Sequence, residues 1–414
     1  MTDLRWPTYG LRNVTLDAVH PDGPGGSMHL KGSDGKVFLD AMTGVGCAPL
    51  GHAHPRWVEA IHHQLQRLST ASNSFFTAPQ QQLAARLGEL FPLNDARTFF
   101  ANTGTETTEA AIKLALKATG RDTIVVFEGA FHGRSLGALS LTANPQYRRP
   151  YIRCVGEDEP ESFLEARVIR LPFGEPAAVE AAFEREGKRI AAVFLEPVQG
   201  EGGVFPATRE FLVFLRQITR RNGALLGTDE VQTGCGRTGQ WSAWSTIVGD
   251  DPELHPDLMW LAKALGGGFP IGVCLASKAA ASAMTGGSHG TTFGGNPLAC
   301  SAALATLRII EEEGLMTAAA AQTPTLQRIA EAHPIDQVSE IRGLGAMIGV
   351  QIGAREERAA APLTAKLMSE HGILVTVCGG HTVRLLLPYR AGEAELRQIW
   401  QAIATLLEST GAAS

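Results

Sequence analysis

The chain has 414 residues, with 36 Lys and Arg against 42 Asp and Glu, and its formal net charge is −6. The mild acidity is spread along the chain, and no apolar run approaches the roughly 18 residues that span a bilayer, which argues against nucleic-acid-binding and membrane-embedded proteins. The first residues lack a signal-peptide pattern and the six cysteines form no CxxC pair, so we expect a cytoplasmic protein of two or three domains with reduced thiols.

Strand-length apolar runs alternate with helical patterns through the middle of the chain. A helix is predicted over residues 104–120, because polar residues open it and a glycine ends it. Strands are predicted at 123–129, 189–197, 223–230 and 257–263. Their Val, Ile and Leu residues are continuous rather than alternating, which is typical of a parallel sheet covered by helices on both faces.

The pattern changes near residue 311, where helices and strands no longer alternate regularly. We interpret this segment as an α+β tail, and a predicted hairpin over residues 31–44 is expected to pack with it. The sequence therefore predicts a large domain over residues 46–310 and a smaller α+β domain formed by residues 1–45 and 311–414.

Polar or glycine-rich clusters follow the predicted strands, at the edge where ligands collect in an open parallel sheet. They are NTGTE (102–106), FEGAFHGRS (127–135), EPVQGEGG (196–203), TDEVQTG (228–234) and LAKALGGG (261–268). Their recurrence at successive strand ends indicates one composite site rather than separate loops.

Two of these clusters contain a charge that is costly to bury. Lys263 stands between an apolar run and three glycines that leave room for a ligand; the alternative is a lysine that reaches solvent along its alkyl stem. Asp229 follows an apolar strand and needs a cationic partner or several donors; the alternative is a structural aspartate that caps a loop.

The other clusters offer weaker signals. The turn 101–106 suits phosphate at a helix N-terminus, or it is an ordinary N-cap. Phe131 lies between glycines, where its ring is free to stack on a ligand, or it packs in the core. No metal site is expected, since no carboxylate or cysteine is spaced to complete a site with His52, His54, His62 and His63. The stretch 343–349 lacks the GxGxxG spacing of a dinucleotide site.

Pyridoxal phosphate would use all of these features, because it needs a lysine, an acid at its pyridine nitrogen, a phosphate cradle and a stacking ring. At these residues the sequence resembles the class III, or ω-amino acid, aminotransferases of fold-type I, and most of all their acetylornithine and succinylornithine branch. The resemblance covers residues 50–388. Its motifs are NTGTETTEAAIKLAL, FHGRSLGALSLT, EPVQGEGGV, DEVQTGCGRTG, LAKALGGGFPIG and TTFGGNPLAC. It implies an α/β large domain with a mainly parallel central sheet, plus the smaller α+β domain.

The resemblance also implies roles at the cofactor. Lys263 matches the lysine that forms the Schiff base, and Asp229 matches the acid that keeps the pyridine nitrogen protonated. The remaining implied cofactor-binding residues hold the phosphate (Gly104, Thr105), the two ring faces (Phe131, Val231), the phenolic oxygen (Gln232) and the surroundings of the ring (His132, Glu196).

At the substrate, Arg384 matches the arginine that takes an α-carboxylate, and Glu201 the acid that covers it when an ω-amine enters. Arg134 matches a second arginine of the pocket. Thr292 matches a residue that contacts the phosphate of the partner's cofactor across a homodimer with shared active sites. The alternative for that loop is a simple turn before a helix capped by Asn296.

We therefore predict a transaminase that moves an amino group from an ω-amino donor to a 2-oxo acid, with 2-oxoglutarate as the expected acceptor. The lysine and aspartate alone also allow a decarboxylase, an aminomutase or a racemase, and a non-catalytic protein that binds a phosphorylated ligand is a further alternative. Departures from the family pattern are Ala48-Pro49, Thr103, the run WSAWST (241–246) and an apparent insertion at 249–255. The run at 241–246 and the insertion at 249–255 concern which amino donor is accepted, and not whether the cofactor binds.

Overall fold

The computed structural model describes residues 8, 14–22, 25–152, 167–354 and 359–411. In chain order, its strands are β1 (Leu16–His20), β2 (His29–Gly32), β3 (Val37–Asp40), β4 (Arg97–Ala101), β5 (Thr123–Phe127), β6 (Val168–Leu171), β7 (Ile190–Leu195), β8 (Val198–Gln199), β9 (Phe205–Pro206), β10 (Leu225–Asp229), β11 (Leu258–Leu261), β12 (Gly272–Ala276), β13 (Val338–Leu344), β14 (Met347–Ile352), β15 (Ile373–Leu374), β16 (Thr376–Cys378) and β17 (Thr382–Leu385).

The helices of the same residues follow in chain order. They are α1 (Thr43–Gly46), α2 (Pro55–Leu65), α3 (Ala78–Leu90), α4 (Gly104–Thr119), α5 (Leu136–Leu141), α6 (Pro145–Ile152), α7 (Pro176–Glu186), α8 (Arg209–Asn222), α9 (Ala243–Val248), α10 (Lys278–Ala281), α11 (Pro297–Glu312), α12 (Leu315–Ala332), α13 (Ala360–His371) and α14 (Glu393–Gly411). Short 3₁₀ helices lie at Pro252–Leu254 and Lys263–Gly266.

The central sheet of the described residues has seven strands in the order β4-β12-β11-β10-β7-β5-β6. The predicted strands correspond to β5, β7, β10 and β11, which pair in parallel, and the fold-type I expectation is confirmed. Strand β12 runs antiparallel to both β11 and β4. Only residues 262–271 separate β11 from β12, which is too short for the crossover of a dozen or more residues that a parallel pairing needs.

The predicted helix over residues 104–120 is confirmed as α4, with both ends capped. The side chain of Thr103 accepts the backbone N–H of Glu106, and Gly120 ends the helix with a left-handed φ of 66°. Continuous burial along β5 and β7 explains why these strands read as unbroken apolar runs, since helices cover both faces of the sheet. Helix α4 follows β4 and begins at the edge of the sheet where the parallel strands end.

The described residues also form two four-stranded sheets, in the orders β1-β2-β3-β15 and β13-β14-β17-β16. The predicted hairpin is present as β2 and β3, and β3 pairs in parallel with β15 from the C-terminal part of the chain. The division into a large domain over residues 46–310 and a small domain from the rest stays a prediction. None of the helices in the described ranges is long and apolar enough to cross a membrane.

Candidate active site

A cavity of about 420 Å³ opens where the parallel strands end and α4 begins. Most of the predicted site residues line it: Gly104, Thr105, Phe131, His132, Arg134, Glu196, Asp229, Val231, Gln232 and Lys263. Sequence clusters that are up to about 160 residues apart therefore meet at one edge of the sheet, as expected for ligand sites in open α/β folds.

Asp229, the last residue of β10, is buried with both of its carboxylate oxygens bonded. His132 Nδ1 donates to Oδ2 over 2.7 Å, and the backbone N–H of Val231 donates to Oδ1 over 3.0 Å. Burial disfavours the charged imidazolium, but the hydrogen bond and charge of Asp229 outweigh it and raise the pKa of His132. The imidazole is thus the partner that the buried carboxylate needed, and it holds the carboxylate at the cavity wall.

Lys263 follows β11 at the start of a 3₁₀ helix and has a left-handed backbone, with a φ of 36°. Such a conformation costs a non-glycine residue on the order of 1–3 kcal/mol and is concentrated at functional sites. Burial, with a smaller effect from the charge of Arg384, lowers the pKa of Lys263 to about 8. Its amine forms no hydrogen bond or ion pair with the residues that the structure describes, so it is available to a ligand in the cavity.

The turn after Lys263 is held from outside the sheet. The indole N–H of Trp57, on α2, donates to Gly266 O over 3.1 Å. Gly267 has a φ of 62°, and a Cβ there would approach Trp57 Nε1 to 2.6 Å and Thr306 Oγ1 to 2.5 Å. The glycine run therefore lets Trp57 pack directly on the backbone that carries the lysine.

Glu196 lies behind the loop that carries Phe131. Its carboxylate accepts the backbone N–H groups of Phe131 (2.9 Å) and Gly200 (3.2 Å). Burial is the main cause that raises the pKa of Glu196 to about 7, while His132 acts in the opposite direction. This contact fixes the backbone from which the Phe131 ring enters the cavity.

The N-terminus of α4 forms the polar wall of the cavity. Thr105 Oγ1 accepts the backbone N–H groups of Arg134 and Ser135, both over 3.1 Å. A Cβ at Gly104 would approach Val231 Cγ1 to 2.9 Å, so only glycine allows the two segments to lie this close. Free N–H groups and the positive end of the helix dipole suit a phosphate at this position.

Arg384 lies on β17 and is 2% exposed. Its Nη1 donates to Glu201 Oε1 over 2.6 Å and to Gln232 Oε1 over 3.1 Å, and its Nε donates to Thr376 Oγ1 over 3.1 Å. Gln232 lines the cavity, so the ion pair of Arg384 and Glu201 lies directly beside it. The side chain of Glu201 is about one-third exposed, at 31%.

Thr292 is exposed and does not line the cavity of its own chain. Asn296, four residues later, caps α11 by accepting the backbone N–H of Ala299 over 2.8 Å. The capping alternative for this loop is therefore correct for Asn296, and the contact of Thr292 with a partner stays a prediction.

Sequence reasoning did not single out Cys47, which belongs to this region. Cys47 lines the cavity at the end of a short left-handed turn, in which Thr43 and Val45 have positive φ values of 46° and 65°. The glycine-rich run around it was the available signal, but only the fold brings it beside Lys263. In contrast, none of residues 241–255 lines the cavity, so the unusual segments there lie outside its wall.

The residues present fit pyridoxal phosphate. The cavity combines a lysine amine that no described residue binds, a buried carboxylate fixed by an imidazole, an aromatic ring and a helix N-terminus. These are the groups that the aldehyde, the pyridine nitrogen, the ring face and the phosphate each require.

Comparisons with known proteins agree with this fit. Residues 23–407 match the sequence model of the family described as aminotransferase class-III. The chain is 41% identical to the acetylornithine aminotransferase of Methanopyrus kandleri, with 94% of each chain covered. It is 40% identical to that of Archaeoglobus fulgidus, over 88% of this chain and 89% of the relative. The solved structure of the ornithine aminotransferase from Toxoplasma gondii is similar with a TM-score of 0.84 and 26% identity, over 99% of this chain and 93% of that one.

Proposed function

The chain belongs to the class III aminotransferases, which depend on pyridoxal phosphate, and from this membership we propose that it transfers the ω-amino group of an acetylornithine-like or ornithine-like donor to 2-oxoglutarate. The names of the relatives support this donor class. The same names favour transamination over the decarboxylase, aminomutase, racemase and non-catalytic alternatives.

The pairing of Arg384 with Glu201 beside the cavity is the observation that carries the proposal. With the ion pair closed, the arginine is neutralised and an amine without an adjacent carboxylate enters. With the ion pair open, the guanidinium grips the α-carboxylate of the 2-oxo acid through two parallel N–H donors. A site that alternates between these two states suits an enzyme whose two substrates differ at this position.

When bound, pyridoxal phosphate supplies an aldehyde and a ring that withdraws electrons from the substrate carbon. Lys263 would hold the aldehyde, and its amine would move the proton at the substrate carbon. A pKa of about 8 suits this task, because a general base works best when its pKa is near the operating pH.

Asp229 would keep the pyridine nitrogen protonated. A close ion pair at an effective dielectric of about 20 has a gross attraction of about 4 kcal/mol, and the bond from His132 fixes the direction of the carboxylate. Gly104 and Thr105 would hold the phosphate, Phe131 and Val231 the two ring faces, and Gln232 the phenolic oxygen. His132 and Glu196 support the carboxylate and the ring-bearing loop.

The functional unit is a cytoplasmic homodimer with shared sites. Large apolar side chains are exposed on the single chain: Phe75 (71%), Phe76 (86%), Leu136 (70%) and Phe293 (61%). Phe293 adjoins Thr292, so burying this surface against a second copy would bring the Thr292 loop to the partner's phosphate. The five described cysteines are unpaired, which suits a reducing compartment.

A half-reaction screen tests the function. The purified holoenzyme is mixed with single amines, and loss of the cofactor absorbance band identifies the donor. With the best donor and 2-oxoglutarate, we expect one glutamate for each amine consumed. Release of carbon dioxide, or a product isomeric with the donor, would instead establish one of the alternative reactions.

Mixed dimers of Lys263→Ala and Thr292→Glu test the shared site. If Thr292 serves the partner, both defects fall in one site and the other site is intact. Purified mixed dimers then have about half of the wild-type activity. Mixed dimers as inactive as both parents would show that Thr292 serves its own chain.

A further inference from the structure

We propose that Tyr147, a residue outside the cavity, positions Arg134 and thereby sets how tightly carboxylate-bearing substrates bind. The inference rests on the proposed function, in which Arg134 faces the substrate. In this proposal Tyr147 is a positioning residue, and it does not touch the reacting atoms.

The side chain of Arg134 is held by aromatic rings rather than by charges. Its Cζ lies 3.5 Å from the centroid of the Tyr147 ring and 5.6 Å from that of Phe131. The guanidinium forms no hydrogen bond or ion pair with any residue that the structure describes. Arg134 is exposed and lines the cavity, so a flexible cation at the entrance is restrained by one ring face.

Tyr147 reaches this position because the backbone of its helix is tied to the loop that carries Arg134. The backbone N–H of Ala143 donates to Ala130 O over 2.7 Å, and α6 begins two residues later. Tyr147 is not among the residues that line the cavity, whereas the Phe131 ring, which meets it edge-on at 6.4 Å, is. The tyrosine therefore acts on the cavity only through its neighbours.

Stacking of this kind orients a guanidinium without using its hydrogen-bond donors. The N–H groups lie in the plane of the guanidinium, so a ring on its face leaves both donor edges open to a carboxylate. An arginine that is held in advance also loses less rotamer freedom when the substrate binds. Loss of the ring is expected to weaken carboxylate binding about three- to fivefold, the scale of a cation–π contact at an accessible site.

The experiment compares the holoenzyme variants Tyr147→Leu and Tyr147→Phe with Tyr151→Leu. Tyr151 is an exposed tyrosine one turn further along α6, so it controls for loss of an aromatic side chain from this helix. We expect Tyr147→Leu to raise the KM for 2-oxoglutarate and the Kd for glutarate, an unreactive dicarboxylate, about three- to fivefold with little change in kcat. Tyr147→Phe and Tyr151→Leu are expected to match the wild type.

A double-mutant cycle separates positioning from a general structural effect. In an Arg134→Ala background, Tyr147→Leu is expected to cause no further change in Kd for glutarate. An unchanged Kd in Tyr147→Leu alone, or an equal additional loss in the Arg134→Ala background, would overturn the inference. Failure of the proposed function is distinct from this outcome, because it would appear as absence of glutamate formation by the wild-type enzyme.

Discussion

The two ends of the cavity are built differently. At the cofactor end, Asp229 is 5% exposed, both of its oxygens accept hydrogen bonds, and its imidazole partner is itself buried. At the substrate end, Arg384 is bound to a carboxylate that is 31% exposed, and Arg134 rests against a ring with no carboxylate partner among the described residues. At the cofactor end, hydrogen bonds to both oxygens fix the carboxylate of Asp229. The substrate end is closed by contacts that a substrate can replace.

This difference matches the demands on each end. A group that stabilises developing charge works best when it is oriented before the reaction, because reorientation costs energy at the transition state. A group that must accept two different substrates in turn needs contacts of low energy that can be exchanged. We therefore expect substitutions at the cofactor end to reduce kcat by large factors, and substitutions at the substrate end to change KM and substrate preference by smaller ones.

The largest loss is expected for Lys263→Ala. Without the amine there is no base at the substrate carbon, and turnover falls by up to about 10⁴-fold, the upper end of what a general base contributes. Steady-state kinetics and mass spectrometry after borohydride reduction measure the loss of activity and of the covalent adduct. Lys278→Ala, which removes an exposed lysine on α10, is the control. Turnover above about 1% of wild type would exclude Lys263 as the base.

Asp229→Asn is expected to lower kcat about 10²–10³-fold, because the amide keeps the contact with His132 but loses the charge that holds the ring proton. Glu230→Gln is the matched control, since Glu230 is also buried but does not line the cavity. It is expected to reduce thermal stability with little effect on kcat. A decrease of less than about tenfold in Asp229→Asn would mean that another group holds the proton.

The lowered pKa of Lys263 predicts a distinct pH dependence in the cofactor-free protein. The amine is neutral above a pKa of about 8, so its acetylation rate should rise through pH 8 and then level off. At pH 8 about half of it is neutral, a fraction roughly 100-fold larger than for an amine of ordinary lysine pKa. Mass spectrometry of Lys263, with the exposed Lys188 as internal reference, measures this.

The pH dependence of Lys263 acetylation also tests whether the two ends of the cavity interact electrostatically. Arg384 contributes to the lowered pKa through its positive charge, so Arg384→Ala should move the midpoint for Lys263 to higher pH. An unchanged midpoint would mean that burial alone sets the pKa, and that the two ends are electrostatically independent.

Much of the fold could be predicted because burial leaves a pattern in the sequence. The strands β5, β7, β10 and β11 are continuous apolar runs, since helices cover both faces of the sheet. The direction of β12 could not be predicted from its own residues, because an apolar run carries no direction and the short connection decides it. The edge strands β4 and β6 are only partly buried, so their runs were too weak to recognise.

The residues of the site also differ in whether the sequence alone could predict them. Lys263 and Asp229 were recognisable because a charge beside an apolar run is costly unless it has a function. Cys47 and Tyr147 could not be found, because each owes its place to contacts with residues distant in the sequence or in another loop. Side chains that are exposed and held by weak contacts leave little trace in a single sequence, which is why the amino donor was not predicted in detail.

At the substrate end, Arg384→Ala is expected to raise the KM for 2-oxoglutarate and for donors with a free α-carboxylate about 10- to 100-fold. This is the scale of a lost hydrogen bond to a charged group. Arg384→Lys keeps the charge but loses the paired N–H donors, so an intermediate KM is expected. The same KM in Arg384→Ala as in the wild type would show that another residue binds the carboxylate.

The smallest effect is expected for Glu201→Ala, and it is the most direct test of an exchangeable contact. Without the carboxylate, Arg384 is uncovered in both half-reactions, so α-amino donors should gain relative to ω-amines in kcat/KM. Because Glu201 is about one-third exposed, solvent screens the ion pair, and the shift in the ratio should be only about fivefold. Glu201→Gln retains an acceptor near Arg384 without the charge and should lie between the two. An unchanged donor preference in Glu201→Ala would show that the ion pair does not select the donor, and the substrate end would then be as fixed as the cofactor end.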